Sequence, residues 1–329
     1  MGDQLFEELH AAGILSEASL QKVKARDARR LISVHWEIKT LMYLAVLLLS
    51  GGLGILIYKN IDSIGHNVIL FFLVLLCAGC YYYCFKYKRP FSLSRVASPN
   101  TLFDYLLLLA CLTFISFVAY LQYQYVFFGN RYGLASFIPM VVLFLSAYYF
   151  DNIGILSLGI TNLAAWLGIT VTPLEILKDN DFNNTTIILT GLLLGAFLIA
   201  TALFSERNDF KKHFQFTYTN FGMHILFICC IAAMFHFENV YLLWFLLLGG
   251  IAYYFYTRAL SERSFYIMLV TALYAYIGIG YVVVRILSMM NSLTVGAVYL
   301  GLIYFIASGI GLVLFLIKAN KKIKTNDRI

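Results

Sequence analysis

Six polar or aromatic residues lie deep inside long apolar runs and could line a cavity for a small molecule. They are Asn162, Trp166, Asn220, His224, Tyr274 and Tyr281. Asn220 and His224 are four residues apart, so they share one face of a helix. Histidine also titrates near neutral pH. Each polar side chain could equally join two helices by a hydrogen bond, worth about 0.6 kcal/mol on average in membranes, and both interpretations stay open.

Three cysteines form a stripe at helical spacing, namely Cys77, Cys80 and Cys84. Thiolates at that spacing could hold copper(I) or zinc. Free cysteine also packs as a small hydrophobic residue, and no histidine or methionine cluster completes a site nearby in the sequence. Packing is therefore favoured, and we expect no metal and no cofactor.

Catalytic motifs are missing from the sequence. It contains no phosphate-binding loop, no HExxH, no GxSxG and no pair of carboxylates within one apolar run. His213, with Asp209 four residues before it, is the single pair of interest at a rim, and neighbouring lysines make it resemble an ordinary charged loop. No Asp, Glu, Lys or Arg lies at the middle of a run, where an ion-coupled carrier would keep a carboxylate. The sequence therefore predicts that the protein is not an enzyme and that any cargo is neutral.

The elements that must position these residues are membrane-spanning helices. The chain of 329 residues is 61% hydrophobic and 12% charged, whereas soluble domains are about a quarter charged. Apolar runs of this length cross a bilayer as helices, and they do not alternate as barrel strands would. We predict an all-α polytopic bundle with ten spans. The spans are 38–58, 67–86, 102–124, 134–150, 153–172, 185–204, 218–236, 240–257, 265–287 and 294–317.

Basic residues predict the orientation of the bundle. If the N-terminus is cytoplasmic, inside segments hold 20 lysines and arginines and outside segments hold 4, as the positive-inside rule requires. Both termini are therefore predicted to be cytoplasmic. The domains are a cytoplasmic helical hairpin (1–37), the transmembrane bundle (38–317) and a basic cytoplasmic tail (318–329). The net charge of +7 follows from this pattern, so nucleic acid is not expected as a partner.

Two spans resemble each other. NVILFFLVLLCAGCYYYCFKYKR (67–89) and NVYLLWFLLLGGIAYYFYTRALS (239–261) are identical at 7 of 23 positions without a gap. Because spans two and eight run in the same direction, this similarity suggests a parallel four-helix repeat of spans 1–4 and 7–10. Such repeats occur in many transporters, although apolar sequences also resemble each other by composition alone.

The layout resembles a family of bacterial predicted membrane proteins called domain of unknown function 2157. The resemblance lies in LFEELHAAGILSEASLQKVKA (5–25), which precedes a basic stretch, and in GNRYGLASFIPMVVLFLSAYYFDNIGILSLGITNLAAWLGI (129–169), with its two close-set spans. It implies a bacterial inner-membrane location and a second envelope protein as a partner. It transfers no catalytic residue.

Two functions remain in view at this point. The first is a transporter-like protein that handles a neutral or lipophilic molecule in a cavity formed by the six residues above. The alternative is a scaffold or sensing partner in a cell-envelope complex. The lipid bilayer is an expected partner in both cases, and a homo-oligomer remains open.

Overall fold

The structure is a computed structural model, and it describes residues 35–59, 65–171, 184–289 and 295–325 together with His10, Ser16, Glu17, Ser19 and Gln21. Ten α-helices, joined by short connections, form most of the four described ranges. The chain divides into two units, Met1–Ile61 and Asp62–Ile329. The first contains α1 (His35–Lys59). The second contains α2 (His66–Tyr87), α3 (Thr101–Tyr125), α4 (Tyr132–Phe150), α5 (Ile153–Val171), α6 (Thr185–Arg207), α7 (Gln215–His236), α8 (Tyr241–Ser261), α9 (Phe265–Met289) and α10 (Val295–Thr325).

The helices coincide with the ten predicted spans to within a few residues at most ends. Among the described residues, nine helices are long and apolar enough to cross a membrane, and α5 contributes a shorter apolar stretch, Ile153–Gly168. The predicted polytopic helical fold is confirmed. α4 continues through Pro139, and α10 continues to Thr325, so the predicted tail begins as helix. Most of the predicted N-terminal hairpin lies outside the described residues, although Ser16 accepts a hydrogen bond from the Ser19 backbone N–H at 3.4 Å, as a helix cap does.

Four connections of the second unit meet at one end of the bundle, here called the basic end: residues 88–100, 151–152, 208–214 and 262–264. The first three contact one another through Asp151 and Lys211. The fourth follows Arg258, which binds Glu206 at 2.9 Å. Because α2 and α8 both finish at this end, the predicted common direction of spans two and eight agrees with the structure. The assignment of this end to the cytoplasm stays a prediction.

α6 and α7 cross closely at three glycines. A Cβ atom on Gly195 would lie 3.2 Å from the carbonyl oxygen of Gly222, and one on Gly222 would lie 3.0 Å from the carbonyl oxygen of Gly195. A Cβ atom on Gly191 would meet the Cys229 sulfur at 2.4 Å. The GxxxG spacing of Gly191 and Gly195 therefore serves packing within the chain, where small residues let helix backbones approach.

The cysteine stripe of α2 faces α3. Cys77 Sγ donates to the carbonyl oxygen of Ala110 at 3.5 Å, and Cys84 Sγ lies 4.0 Å from that of Phe103. Cys80 and Cys84 are buried. These sulfurs pack against a helix backbone, in agreement with the favoured interpretation.

Gly195→Ala should destabilise the protein because the added methyl group would lie 2.7 Å from Leu226 Cγ as well as against the α7 backbone. Overpacking of this kind costs about 1–3 kcal/mol. The matched control is Gly249→Ala in α8, where an added Cβ meets no atom within 4 Å and helix propensity improves by roughly 0.8–1 kcal/mol. Thermal unfolding of both purified variants in detergent measures the difference. Equal midpoints would contradict the proposed close crossing.

Candidate functional site

A cavity of about 460 Å³ lies between α3, α4 and α5 at the end opposite the basic end. Its lining includes Ala119 of α3, Ala135 and Pro139 of α4, and Asn162 of α5. The volume falls within the range of small-molecule pockets. Asn162, the first of the six predicted residues, therefore does line a cavity.

Asn162 presents an unused acceptor. Its Oδ1 atom is buried and accepts no hydrogen bond from the described residues. A buried acceptor without a donor costs about 1–3 kcal/mol, so such an atom indicates a missing partner. Pro139 adds a second acceptor, because proline has no N–H to bind the carbonyl of the residue four before it. That residue is Ala135, which also lines the cavity.

The other amide of the cavity is already occupied. Gln122 Nε2 donates to the carbonyl oxygen of Gly129 at 3.0 Å, and Gln122 Oε1 accepts from the Phe128 N–H at 2.9 Å. Gln122 thus fastens the turn between α3 and α4. The Asn162 oxygen therefore remains as a buried acceptor in the lining, together with the hydroxyls of Tyr123 and Tyr132. A suitable ligand carries a hydrogen-bond donor on an otherwise apolar body.

Trp166 lies one turn beyond Asn162 and packs between α5 and α4. Its ring centroid is 5.3 Å from that of Phe137, and a Cβ atom on Gly133 would lie 3.7 Å from its Nε1. Trp166 is not among the residues lining the cavity. Its described contacts are those of a packing residue.

Asn220, His224 and Tyr274 come together in a second place, the seam between α7 and α9. Tyr266 donates from its hydroxyl to Asn220 Oδ1 at 2.7 Å. Its oxygen lies 3.1 Å from His224 Nε2, and Tyr274 Oη lies 2.9 Å from His224 Nδ1. Since Tyr266 donates to Asn220, a neutral His224 completes the chain by donating from Nε2 and accepting from Tyr274 at Nδ1.

This seam network is closed, because each of its four side chains has a partner within it. Tyr266 was missed by the sequence analysis. A signal was present, since Tyr266 precedes Tyr274 by eight residues, which places both on one face of a helix. The arrangement is that of hydrogen bonds joining two helices, the interpretation left open for Asn220 and His224.

Tyr281 has a third role. Its hydroxyl donates to the carbonyl oxygen of Met234 at 2.8 Å, and its ring lies 4.4 Å from that of Phe235. Met234 is in the last turn of α7, where carbonyl groups lack helical partners. No hydrogen bond or ring contact between described residues joins Asn162 or Trp166 to the other four predicted residues. Asn220, His224 and Tyr274 therefore lie together in the α7–α9 seam, and the other three residues lie elsewhere in the bundle.

A buried ionic cluster at the basic end was not expected. The Asp151 carboxylate lies 3.0 Å from Lys211 Nζ and 2.6 Å from His213 Nε2, and it accepts from the Val96 N–H. The side chains of Lys211 and Asp151 are 1% and 2% exposed. Lys211 Nζ has ion-pair distance but no hydrogen-bond geometry, so its attraction to the carboxylate is mainly Coulombic.

Neighbouring polar groups fix the position of this cluster. Asn152 Nδ2 donates to Asp104 Oδ1 at 3.0 Å, and Ser98 Oγ donates to the same oxygen at 2.6 Å. The Lys211 N–H donates to the Leu93 carbonyl oxygen at 3.0 Å. The enclosed space beside the cluster is only about 10 Å³, roughly the size of one water molecule. The cluster therefore joins three connections and has no room for a substrate.

His213 and Asp209, the weak rim pair noted in the sequence, do not bind each other. His213 binds Asp151, whereas Asp209 binds Lys212 at 3.2 Å on the surface. Lys211, taken as part of an ordinary charged loop, is buried. The one signal in the sequence was Asp151 itself, a charge in a two-residue turn between apolar helices that needs a cation from elsewhere in the chain.

Comparison with known protein families gives a match for the first part of the chain. Residues 7–156 match the family DUF2157, described as a predicted membrane protein, which confirms the resemblance over that part of the chain. No curated protein and no solved structure matches. Together with the many apolar helices, the match identifies a membrane protein.

Asp151→Asn should lower the unfolding free energy by about 3–5 kcal/mol, because it leaves Lys211 as a buried charge without its counter-ion. The matched control is Asp209→Asn. It breaks an ion pair whose side chains are 60% and 78% exposed, and such pairs contribute about 0–1 kcal/mol. Thermal unfolding in detergent compares the two. Adding Lys211→Met to Asp151→Asn should restore part of the loss, and a double variant less stable than Asp151→Asn alone would contradict this account.

Proposed function

We propose that this protein, which matches a family of predicted membrane proteins over residues 7–156, binds a neutral, largely apolar molecule in the α3–α4–α5 cavity. We further propose that it carries this molecule across the membrane. The observation that carries the proposal is the buried, unpartnered Asn162 Oδ1 in the wall of that cavity. Ligand sites typically combine an apolar lining with a few placed polar groups. The proposed location is a bacterial inner membrane, with the basic end in the cytoplasm.

The chemistry of the lining supports a carrier or receptor rather than an enzyme. The described lining residues are hydrocarbons, amides, hydroxyls and one proline. A neutral donor, such as an alcohol O–H or an amide N–H, would donate a hydrogen bond to Asn162 Oδ1 without bringing an uncompensated charge into the bilayer. A charged ligand would be disfavoured, because no charged residue lines the cavity among the described residues.

Asn162→Leu should reduce binding of the ligand about tenfold, since it leaves the ligand's buried donor without a partner at a cost of about 1–3 kcal/mol. The full-length protein is purified in mild detergent, and neutral compounds that accompany it are identified by mass spectrometry. The enriched compound is then added back, and the rise in unfolding temperature gives its affinity.

Thr161→Val is the matched control, because Thr161 is exposed on the same helix and bonds only the Ser157 carbonyl of its own helix, at 2.9 Å. It should retain binding. His224→Leu should lower stability and leave binding unchanged, since His224 belongs to the closed α7–α9 seam. Equal binding by wild type and Asn162→Leu would count against the cavity as the site. Carriage itself is then tested with the identified compound in proteoliposomes.

A second candidate function, contact with another envelope protein, is supported by the basic end. The buried cluster fixes three connections there and leaves Arg89, Arg95 and Lys212 exposed beside it. A fixed basic surface suits an acidic loop of a partner. If a second protein is recovered in stoichiometric amount with the tagged chain from native membranes, this function is favoured. If that protein is still recovered after deletion of residues 1–34, the contact is assigned to the bundle.

A further inference from the structure

A second concave surface, separate from the cavity at Asn162, lies between α8, α9 and α10. It is a groove of about 580 Å³. Its floor is made of small residues, Ala252 on α8, Ala272 and Ala275 on α9, and Gly311 on α10. A Cβ atom added to Gly311 would meet nothing within 4 Å. The groove therefore exists because these helices carry little side-chain volume where they face one another.

The groove has the length of one bilayer leaflet. On α10 its lining runs from Tyr304 to Phe315, which is about 16 Å at the helical rise of 1.5 Å per residue. Half of the hydrocarbon thickness of a bilayer is about 15 Å. The Phe315 side is at the basic end, because α10 goes on from there to bury Ala319 and Ile323 against Ala259 and Ile267 of the α8–α9 turn region.

Two lysines continue the groove face of α10 beyond its apolar part. Tyr304, Ser308, Gly311 and Phe315 line the groove at helical spacing. The same spacing leads to Lys318 and Lys322, three and seven residues after Phe315. Both lysines are exposed. Neither forms a salt bridge with another described residue.

The acid nearest in sequence to this end of the groove, Glu262, is held by Arg258, which it shares with Glu206. Glu262, in the α8–α9 turn, accepts from Arg258 Nε at 2.5 Å and from Gln215 Nε2 at 3.1 Å. No acidic residue lines the groove among the described residues. Among the described residues, the two lysines thus present positive charge to the headgroup region without an acidic partner.

We propose that this groove binds an anionic glycerophospholipid of the surrounding bilayer, with one acyl chain in the groove and the phosphate at Lys318 and Lys322. A chain of one-leaflet length fits an apolar groove of one-leaflet length, and the lysines select for charge. The site lies on different helices from the Asn162 cavity and does not depend on the function proposed there.

The test measures the unfolding temperature of the delipidated full-length protein in detergent during titration with dioleoylphosphatidylglycerol or dioleoylphosphatidylcholine. The expected result is a larger upward shift, at lower lipid concentration, with the anionic lipid. In Lys318→Gln/Lys322→Gln the half-saturating concentration of that lipid should rise roughly 25-fold, because each lysine near an anionic surface contributes about a factor of five. Lys86→Gln, at the end of α2, is the matched charge control and should leave it unchanged.

Gly311→Phe tests the groove itself, since the ring would fill the space that the acyl chain occupies. It should abolish the shift with both lipids. Gly309→Phe places the same ring on α10 outside the groove lining, where a Cβ atom also meets nothing within 4 Å, and should retain the shift. Equal shifts with the two lipids in wild type would overturn the proposed charge selection. Loss of binding in the lysine variant but not in Gly311→Phe would overturn the groove in favour of headgroup contact alone.

Discussion

The absence of water from the hydrocarbon region is the constraint on which the rest of this structure depends. Polar groups inside a bilayer must find partners within the protein. The bundle meets this requirement locally and between helices. Thr113 Oγ1 donates a hydrogen bond to the Leu109 carbonyl of its own helix at 2.8 Å. The Tyr281 hydroxyl donates to the Met234 carbonyl of another helix, and both ring nitrogens of His224 form hydrogen bonds. Against this background the unpartnered Asn162 oxygen and Thr219 hydroxyl are exceptions. Asn162 carries the functional argument because it also lines the cavity.

The same constraint explains the basic end. Asp151 adopts φ +59°, the left-handed conformation that aspartate tolerates better than most residues, and this allows a two-residue turn between α4 and α5. Its carboxylate is then held in a position that water does not reach. Lys211, also at positive φ (+49°), and His213 supply the compensating groups from a loop more than fifty residues away. A turn that is short in sequence thus depends on a distant connection, and the connections at this end are fixed together.

The helices could be predicted from the sequence because their signal is local. Twenty apolar residues form a helix in lipid whatever they pack against, so the predicted spans agree with the ten helices. The candidate site could be predicted only in part. Asn162 was found because an amide in an apolar run is visible in the sequence. Its companions were not, because the cavity depends on how α3 and α4 pack. Lys211 and Asp151 were missed as a pair because no local pattern joins two residues sixty positions apart.

The suggested repeat is a further case in which sequence similarity does not predict how helices pack. α2 and α8 align in sequence and run in the same direction, yet they bury different faces. The buried residues of α2 are Ile69, Leu73, Cys80 and Cys84, and those of α8 are Tyr241, Leu248, Phe255, Arg258 and Ala259. In the ungapped alignment of the two helices, only Ile69 and Tyr241 are buried at the same position. Seven shared identities therefore do not produce equivalent packing. If the two halves arose by duplication, their packing has since diverged, and the α8–α9–α10 groove reflects how the second set of helices packs.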